Sequence, residues 1–221
     1  MAYAVKEIFY TLQGEGANTG RPAVFVRFAG CNLWSGREAD RAGARCRFCD
    51  TDFVGCDGAG GGDYAAADLA DRVARAWPGP REGTGNGVER PDPGRPFVVC
   101  TGGEPLLQVD APLIAALKER GFEVAIETNG SIAVPPGIDW VCVSPKAGAE
   151  TIVRQGDELK FVFPQLGAEP ANFEPWAFKH FFLQPLDGPD RLRNTELATA
   201  YCLAHPRWRL SLQVHKLIGL P

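Results

Sequence analysis

Cys46-Arg47-Phe48-Cys49-Asp50-Thr51 places two thiols three positions apart, and Cys31 adds a third, with the fourteen residues 32–45 between it and Cys46. A β-like run, 23–28, comes just before Cys31. No obvious fourth ligand stands at tight metal spacing. A closed structural metal site normally takes four ligands. Three thiolates on a cluster leave one iron with an open position, where a substrate or cofactor can bind. Soft thiolates suit zinc as well as iron–sulfur clusters. Zinc could recruit Cys56 as a fourth ligand in a structural knuckle, while His180, His205 and His215 lie far along the chain. On the cysteines alone, the two metals stand level.

The remaining composition is that of an ordinary globular protein. At 221 residues the chain can bury one substantial core, so 1–221 reads as a single domain, with a cysteine loop at 31–51 and a surface loop around 78–96. A net charge of −4 argues against a nucleic-acid partner, which selects a basic face. No apolar run approaches the roughly 20 residues that cross a bilayer. The first residues carry no apolar signal-peptide core, so a cytoplasmic location without a membrane partner is expected. Seven cysteines, an odd number, then suggest metal or redox chemistry rather than disulfides. Cys100 and Cys142 sit in apolar runs and read as small buried hydrophobes, and Cys56 and Cys202 are scattered.

Strand patterns recur at 5–12, 23–28, 97–100, 123–126, 140–143, 159–163, 181–183 and 209–214, each bounded by Gly, Pro or polar residues. Helical spacing appears over 64–77, through Leu69, Val73 and Trp77, and over 109–120, through Leu113, Ile114 and Leu117. A third helix is predicted over 190–204, with Leu192, Leu197 and Leu203 as its apolar positions. Alternating strands and helices predict parallel βαβ units. Three convincing helices for six or more strands predict an α/β fold, a partial (β/α) barrel short of helices. Residues 55–63 and 78–96 read as plain connections.

The unusual polar residues follow the strands: Cys31, Thr101-Gly102-Gly103-Glu104-Pro105, Glu127, Ser144-Pro145-Lys146, Gln184-Pro185 and His215-Lys216. In β/α barrels the C-terminal strand ends form the active-site face. These residues are therefore expected at one mouth. Paired glycines let backbone approach a ligand closely, and Glu104 offers an acceptor to a cationic group. A tight turn capped by Pro105 is the plainer alternative.

Taken together, the cysteines after a strand, Phe48 before the last of them, and Gly-Gly-Glu-Pro after the next strand resemble the radical S-adenosylmethionine (SAM) enzymes. In that superfamily three cysteines hold a [4Fe–4S] cluster whose unique iron binds the amino and carboxylate groups of SAM. One electron then releases a 5′-deoxyadenosyl radical. Most members have only three residues between the first two cysteines. The C-x14-C-x2-C spacing instead resembles one branch, the 7-carboxy-7-deazaguanine synthases. Glu7-Ile8-Phe9-Tyr10-Thr11-Leu12-Gln13-Gly14-Glu15-Gly16, Arg21-Pro22-Ala23-Val24-Phe25-Val26-Arg27, Cys49-Asp50-Thr51 and Gln213-Val214-His215-Lys216 are similar to that branch.

The resemblance implies a reduced β6/α3-like barrel and a radical ring contraction of 6-carboxy-5,6,7,8-tetrahydropterin to 7-carboxy-7-deazaguanine, with loss of ammonia, on the way to queuosine. It implies Cys31, Cys46 and Cys49 as cluster ligands and Thr51 as a ligand of Mg2+. SAM would meet Phe48, Cys49, Asp50, Gly103, Glu104, Ser144, Pro145 and Lys146, and also Gln184, Pro185, Leu186 and Asp187. The pterin would meet Leu12, Gln13, Gly14, Glu15, Arg27, Thr101 and the terminal Pro221, with Glu127 and His215 nearest to the chemistry. A homodimer and a flavodoxin-like electron donor are implied as partners. Two alternatives remain: an activase that makes a glycyl radical on a protein partner, and the zinc module.

Overall fold

The computed structural model describes residues 2–78 and 94–221. The expected loop at 78–96 therefore lies, from 79 to 93, outside the described residues. Within them runs one nine-stranded sheet in the order β3-β1-β2-β4-β5-β6-β7-β8-β9. It begins antiparallel: β1 (Tyr3–Leu12) pairs with β2 (Pro22–Phe28) and with the short β3 (Gly62–Tyr64). From β2 onward every neighbour is parallel: β4 (Phe97–Gly102), β5 (Glu123–Thr128), β6 (Trp140–Val143), β7 (Gln155–Phe163), β8 (Ala177–Pro185) and β9 (Trp208–Leu210). The sheet stays open, with β3 and β9 at its edges, as a partial barrel requires.

The period of two along the strands sorts side chains to opposite faces. Val24, Val26, Phe28, Val98, Cys100, Val124 and Ile126 form the outer core with α1 (Ala66–Ala76) and α2 (Ala111–Glu119). The alternate residues Ala23, Phe25, Phe97, Val99 and Ala125 make a small inner cluster inside the sheet. Helix α1 buries Leu69, Ala70 and Val73. Helix α2 is started by Asp110, whose carboxylate accepts from the Leu113 N–H at 3.2 Å, and it buries Leu113, Ile114 and Leu117. Burying a Leu or Ile contributes about 1.5–3 kcal/mol each, so these two helices anchor the outer layer.

Three expectations are corrected. First, α3 (Arg191–Ala204) forms, but Leu192, Leu197 and Leu203 are exposed. Its inner face is Asn194 and Ala198, with Tyr201 and Cys202 packed nearby, because the Asn194 amide donates to the Leu186 carbonyl at 2.9 Å. Second, the strand expected over 209–214 ends at Leu210, and α4 (Val214–Ile218) follows. The Val214 N–H donates to the Gly14 carbonyl at 2.9 Å, which turns the chain toward the end of β1 instead of prolonging the sheet. Third, the glycine-rich segment 55–63 is no plain loop. It contributes β3, and a Cβ at Gly61 would meet the Lys6 carbonyl at 2.3 Å, so only glycine permits this approach to β1.

Candidate active site

The C-terminal ends of the parallel strands surround a cavity of about 460 Å³. Residues from the far ends of the chain meet there, Gln13 from just beyond β1 and His215 from α4 among them. Nearly all of the expected site residues line it. Cys31, Cys46, Phe48, Cys49, Asp50 and Thr51 come from the cysteine loop. Leu12, Gln13, Gly14, Glu15 and Arg27 come from the antiparallel end of the sheet. Thr101, Gly103, Glu127, Ser144 and Lys146 follow from β4 to β6, and Gln184, Pro185, Leu186 and Asp187 from β8. His215 and Pro221 close the list. The strands reach further than expected, so Thr101, Glu127 and Gln184 sit on strand ends rather than after them.

Two expected residues lie behind this surface. Glu104 is fully buried and is absent from the lining. Its carboxylate accepts from the Leu106 N–H at 3.0 Å, the Thr128 hydroxyl at 2.7 Å and the Asn129 N–H at 2.8 Å. Burial pushes its pKa up, and those donors oppose the shift. Glu104 thus ties the end of β4 to the end of β5. Pro145 is also outside the lining; its carbonyl accepts from the Gln165 amide at 3.3 Å. The paired glycines also pack closely against neighbouring backbone. A Cβ at Gly102 would meet the Phe28 carbonyl at 2.3 Å, and one at Gly103 would meet the Gly30 carbonyl at 2.1 Å and the Cys31 Cβ at 2.8 Å. They admit neighbouring backbone, which seats the first cysteine beside the glycine turn.

The floor is polar and tightly paired. Lys160, on β7, forms an ion pair with Glu15 and a second with Glu127 at 3.3 Å. The Gln184 and Gln213 amides donate to Glu15 at 3.0 and 3.1 Å. Glu127 accepts from Gln13 at 3.1 Å and from the Thr101 hydroxyl at 3.2 Å. Burial works against the Glu15 charge, but the Lys160 ammonium, Gln213 and His215 outweigh it and hold the carboxyl down at about 2. Burial likewise opposes charge on Lys160, and the Glu127 and Glu15 carboxylates overcome it, raising its pKa well above the ordinary value. Both groups are therefore charged at neutral pH.

At the rim, Arg27 donates from Nε to Glu7 at 2.7 Å and lies 5.8 Å from the Phe9 ring centre. The Lys216 ammonium bridges Asp50 and Asp187, each at 2.6 Å. Lys146 donates to the carbonyl and hydroxyl oxygens of Ser144, both at 2.7 Å. His215 packs so closely on Gly14 that a Cβ there would lie 2.1 Å from its Nδ1. The Thr11 hydroxyl donates to the Pro221 carbonyl at 3.4 Å.

The three thiols share the cavity wall. Cys46 is buried, and Cys31 and Cys49 are half-buried. The neighbouring Cys46 thiol brings the Cys49 pKa down to about 6, against the burial that raises it. Among the described residues, no three His, Cys, Asp or Glu side chains converge so that they could hold one metal ion. Cys56 is absent from the cavity lining, so the fourth ligand of the zinc reading is not in place. A [4Fe–4S] cluster differs in its demand. Each thiolate binds its own iron, so the sulfurs stand around the cluster rather than on one point. Three soft donors on one wall, without a fourth, fit that group.

Sequence reasoning missed several lining residues. Lys160 is the most consequential. A lone lysine between the fully buried Leu159 and Phe161 is a buried charge that demands partners, and that was its available signal. Lys6 sits where the β1–β2 register shifts, and its ammonium meets the Val54 carbonyl at 2.9 Å, Asp52 at 2.8 Å and Asp57 at 2.7 Å. Gln213 and Lys216 were visible only as part of a motif.

No family model matches the chain. Whole proteins do. A 7-carboxy-7-deazaguanine synthase of Bordetella pertussis is 60% identical over 222 residues, with all of both chains covered. One from Bradyrhizobium diazoefficiens is 60% identical over 221 residues, again over both full lengths. The crystal structure of QueE from Escherichia coli superimposes with a TM-score of 0.68 at 29% identity, covering 97% of this chain and 95% of that one. Identity at this level over full length leaves no room for the zinc module, and the chain belongs to the 7-carboxy-7-deazaguanine synthase family.

Proposed function

We propose that the cavity carries out the radical SAM ring contraction of 6-carboxy-5,6,7,8-tetrahydropterin to 7-carboxy-7-deazaguanine, with loss of ammonia, in queuosine and deazapurine biosynthesis. The observation that carries the reading is the joining of three thiols and a paired-acid floor in one cavity at the strand ends. When bound, the [4Fe–4S] cluster and SAM supply the 5′-deoxyadenosyl radical that takes hydrogen from C6 of the pterin.

The chain's own residues do the rest. Cys31, Cys46 and Cys49 hold the cluster. Gly103 presents backbone to the SAM amino group, and Glu104 braces that turn from behind. Phe48, Asp50, Ser144 and Lys146, with Gln184 through Asp187, enclose the remainder of SAM. Glu15 is an anion fixed by Lys160, and it accepts from the N–H donors of the amino-pyrimidinone edge. Leu12, Gln13 and Gly14 frame that edge, while Thr101 and Glu127 face the ring. Arg27 keeps guanidinium N–H groups beyond the Nε that Glu7 occupies, and these pair with the substrate carboxylate. Thr51 offers a hard hydroxyl oxygen to Mg2+, which usually takes few protein ligands. His215 and Pro221 close the pocket.

Around this site we place a homodimer, a low-potential donor such as flavodoxin, and the cytoplasm. Among the described residues no helix is long and apolar enough to cross a membrane. The test is anaerobic reconstitution followed by reductant, SAM, Mg2+ and the carboxypterin, read by mass spectrometry. Formation of 7-carboxy-7-deazaguanine supports the assignment. Abundant 5′-deoxyadenosine without it would move the substrate elsewhere, and neither species would sink the reading.

A further inference from the structure

The fourteen residues between Cys31 and Cys46 fold onto the cysteine turn that follows them. The N–H groups of Arg45 and Cys46 donate to the Leu33 carbonyl at 3.1 and 3.4 Å, so the loop closes on its own base. Trp34 is buried, meets Phe53 edge-on at 5.6 Å, and donates from Nε1 to the Arg37 carbonyl at 3.1 Å. Phe53 is itself buried, and its carbonyl accepts from the Gly30 N–H at 3.1 Å. Trp34 is therefore a fixed platform.

On that platform lies Arg41, its Cζ 4.1 Å from the Trp34 ring centre. Its Nε donates to both oxygens of Glu38, at 2.9 and 2.7 Å. One terminal nitrogen then donates to two carbonyls, Arg47 at 3.0 Å and Cys49 at 3.1 Å. These carbonyls flank Phe48 in the Cys46–Cys49 turn. Among the described residues, Arg41 is the donor that these two peptide planes share.

We propose that Arg41 is a positioning residue that, stacked on Trp34, fixes the Cys46–Cys49 turn for the cluster, and that this is the work of the long cysteine insertion. The proposal rests on Cys31, Cys46 and Cys49 being the cluster ligands. A planar guanidinium can stack, pair with a carboxylate and donate to two carbonyls together, and an ammonium cannot.

Iron release to a ferrous chelator tests it, on anaerobically reconstituted full-length protein whose reduced cluster is first verified by electron paramagnetic resonance. Arg41→Met should lose iron about fivefold faster than the unsubstituted protein, the scale of a net charge-assisted hydrogen bond discounted for exposure. Arg41→Lys should fall between the two. The unfolding midpoint of the cluster-free Arg41→Met protein should stay unchanged, which a general folding role would not allow. Release from Arg41→Met at the unsubstituted rate overturns the brace. If Arg41→Met does not fold, Arg41→Lys decides: unsubstituted kinetics there overturn the need for a guanidinium. Failure of the unsubstituted protein to assemble a cluster overturns the ligand assignment itself, an outcome separate from any difference between variants.

Discussion

Lys160 and Glu15 form a buried ion pair that joins the middle of the parallel sheet to the loop beyond its antiparallel edge. The lysine comes from β7 and the carboxylate from just past β1, 145 residues apart. Their side chains are only 6% and 14% exposed. Low exposure makes each charge costly without the other.

Lys160→Met should therefore leave Glu15 and Glu127 facing each other without their cation. The expected loss is about 3–5 kcal/mol at neutral pH, as for breaking other buried pairs. Glu15 has a folded pKa of about 2 against an ordinary 4.5. A depressed carboxyl stabilises the fold above its ordinary value, and that contribution fades as pH falls toward the folded value. The gap between Lys160→Met and the unsubstituted protein should thus narrow below pH 4.5. Urea unfolding of cluster-free protein at pH 7 and pH 3 measures it, and equal gaps at both would remove this linkage.

Glu15→Gln keeps shape and an acceptor oxygen but removes the charge. Losing a hydrogen bond to a charged group costs about 1.5–3 kcal/mol, roughly ten- to a hundredfold in kcat/KM for the pterin. Iron content and reductive cleavage of SAM should be unaffected. Steady-state kinetics with both readouts decide the point, and an unaltered pterin KM would take Glu15 out of the binding edge.

Thr51→Ala removes a hydroxyl that lines the cavity beside Cys49. The variant should assemble its cluster normally while its response to added Mg2+ weakens, by about tenfold in half-saturating concentration if one hydroxyl ligand is lost. Titrating Mg2+ against product formation checks this. An identical titration curve would exclude Thr51 as a ligand.

Lys216 tethers α4 to Asp50 and Asp187, and all three side chains are partly exposed. Exposed pairs contribute little, about 0–1 kcal/mol, and are screened by salt. Lys216→Met should accordingly raise KM for SAM by only about two- to fivefold. The same change should flatten the ionic-strength dependence of that KM. Kinetics at low and high salt measure it, and a full loss of activity would mean that Lys216 does more than tether.

The parts legible in the sequence were those with local causes. The strand at 140–143 was read to the residue, because Trp140–Val143 is an apolar run with a polar Ser144 beyond it. The cysteines, the lining segment from Leu12 to Glu15 and the mouth at the strand ends were legible through motifs and strand order. The rest depended on distant partners. Leu192, Leu197 and Leu203 read as the apolar positions of a helix, but they stand five and six residues apart, and Asn194, bonded to the Leu186 carbonyl, faces inward while they are exposed. Residues 211–214 looked like a strand because β-branched and apolar residues favour one, until Gly14 supplied a partner some 200 residues away in sequence. The brace that Glu104 makes to Thr128 and Asn129 was not legible, because those partners lie 24 and 25 residues away in the linear chain.

Gly103 carries a consequence for tinkering with this chain. Where its side chain would be, the Gly30 carbonyl and the Cys31 Cβ already are. A single methyl group there would have to shove aside the backbone that presents the first thiol. The seat of the Cys31 side chain thus depends on the absence of one carbon atom at position 103. Any redesign of the glycine turn is at the same time a redesign of the backbone that carries Cys31.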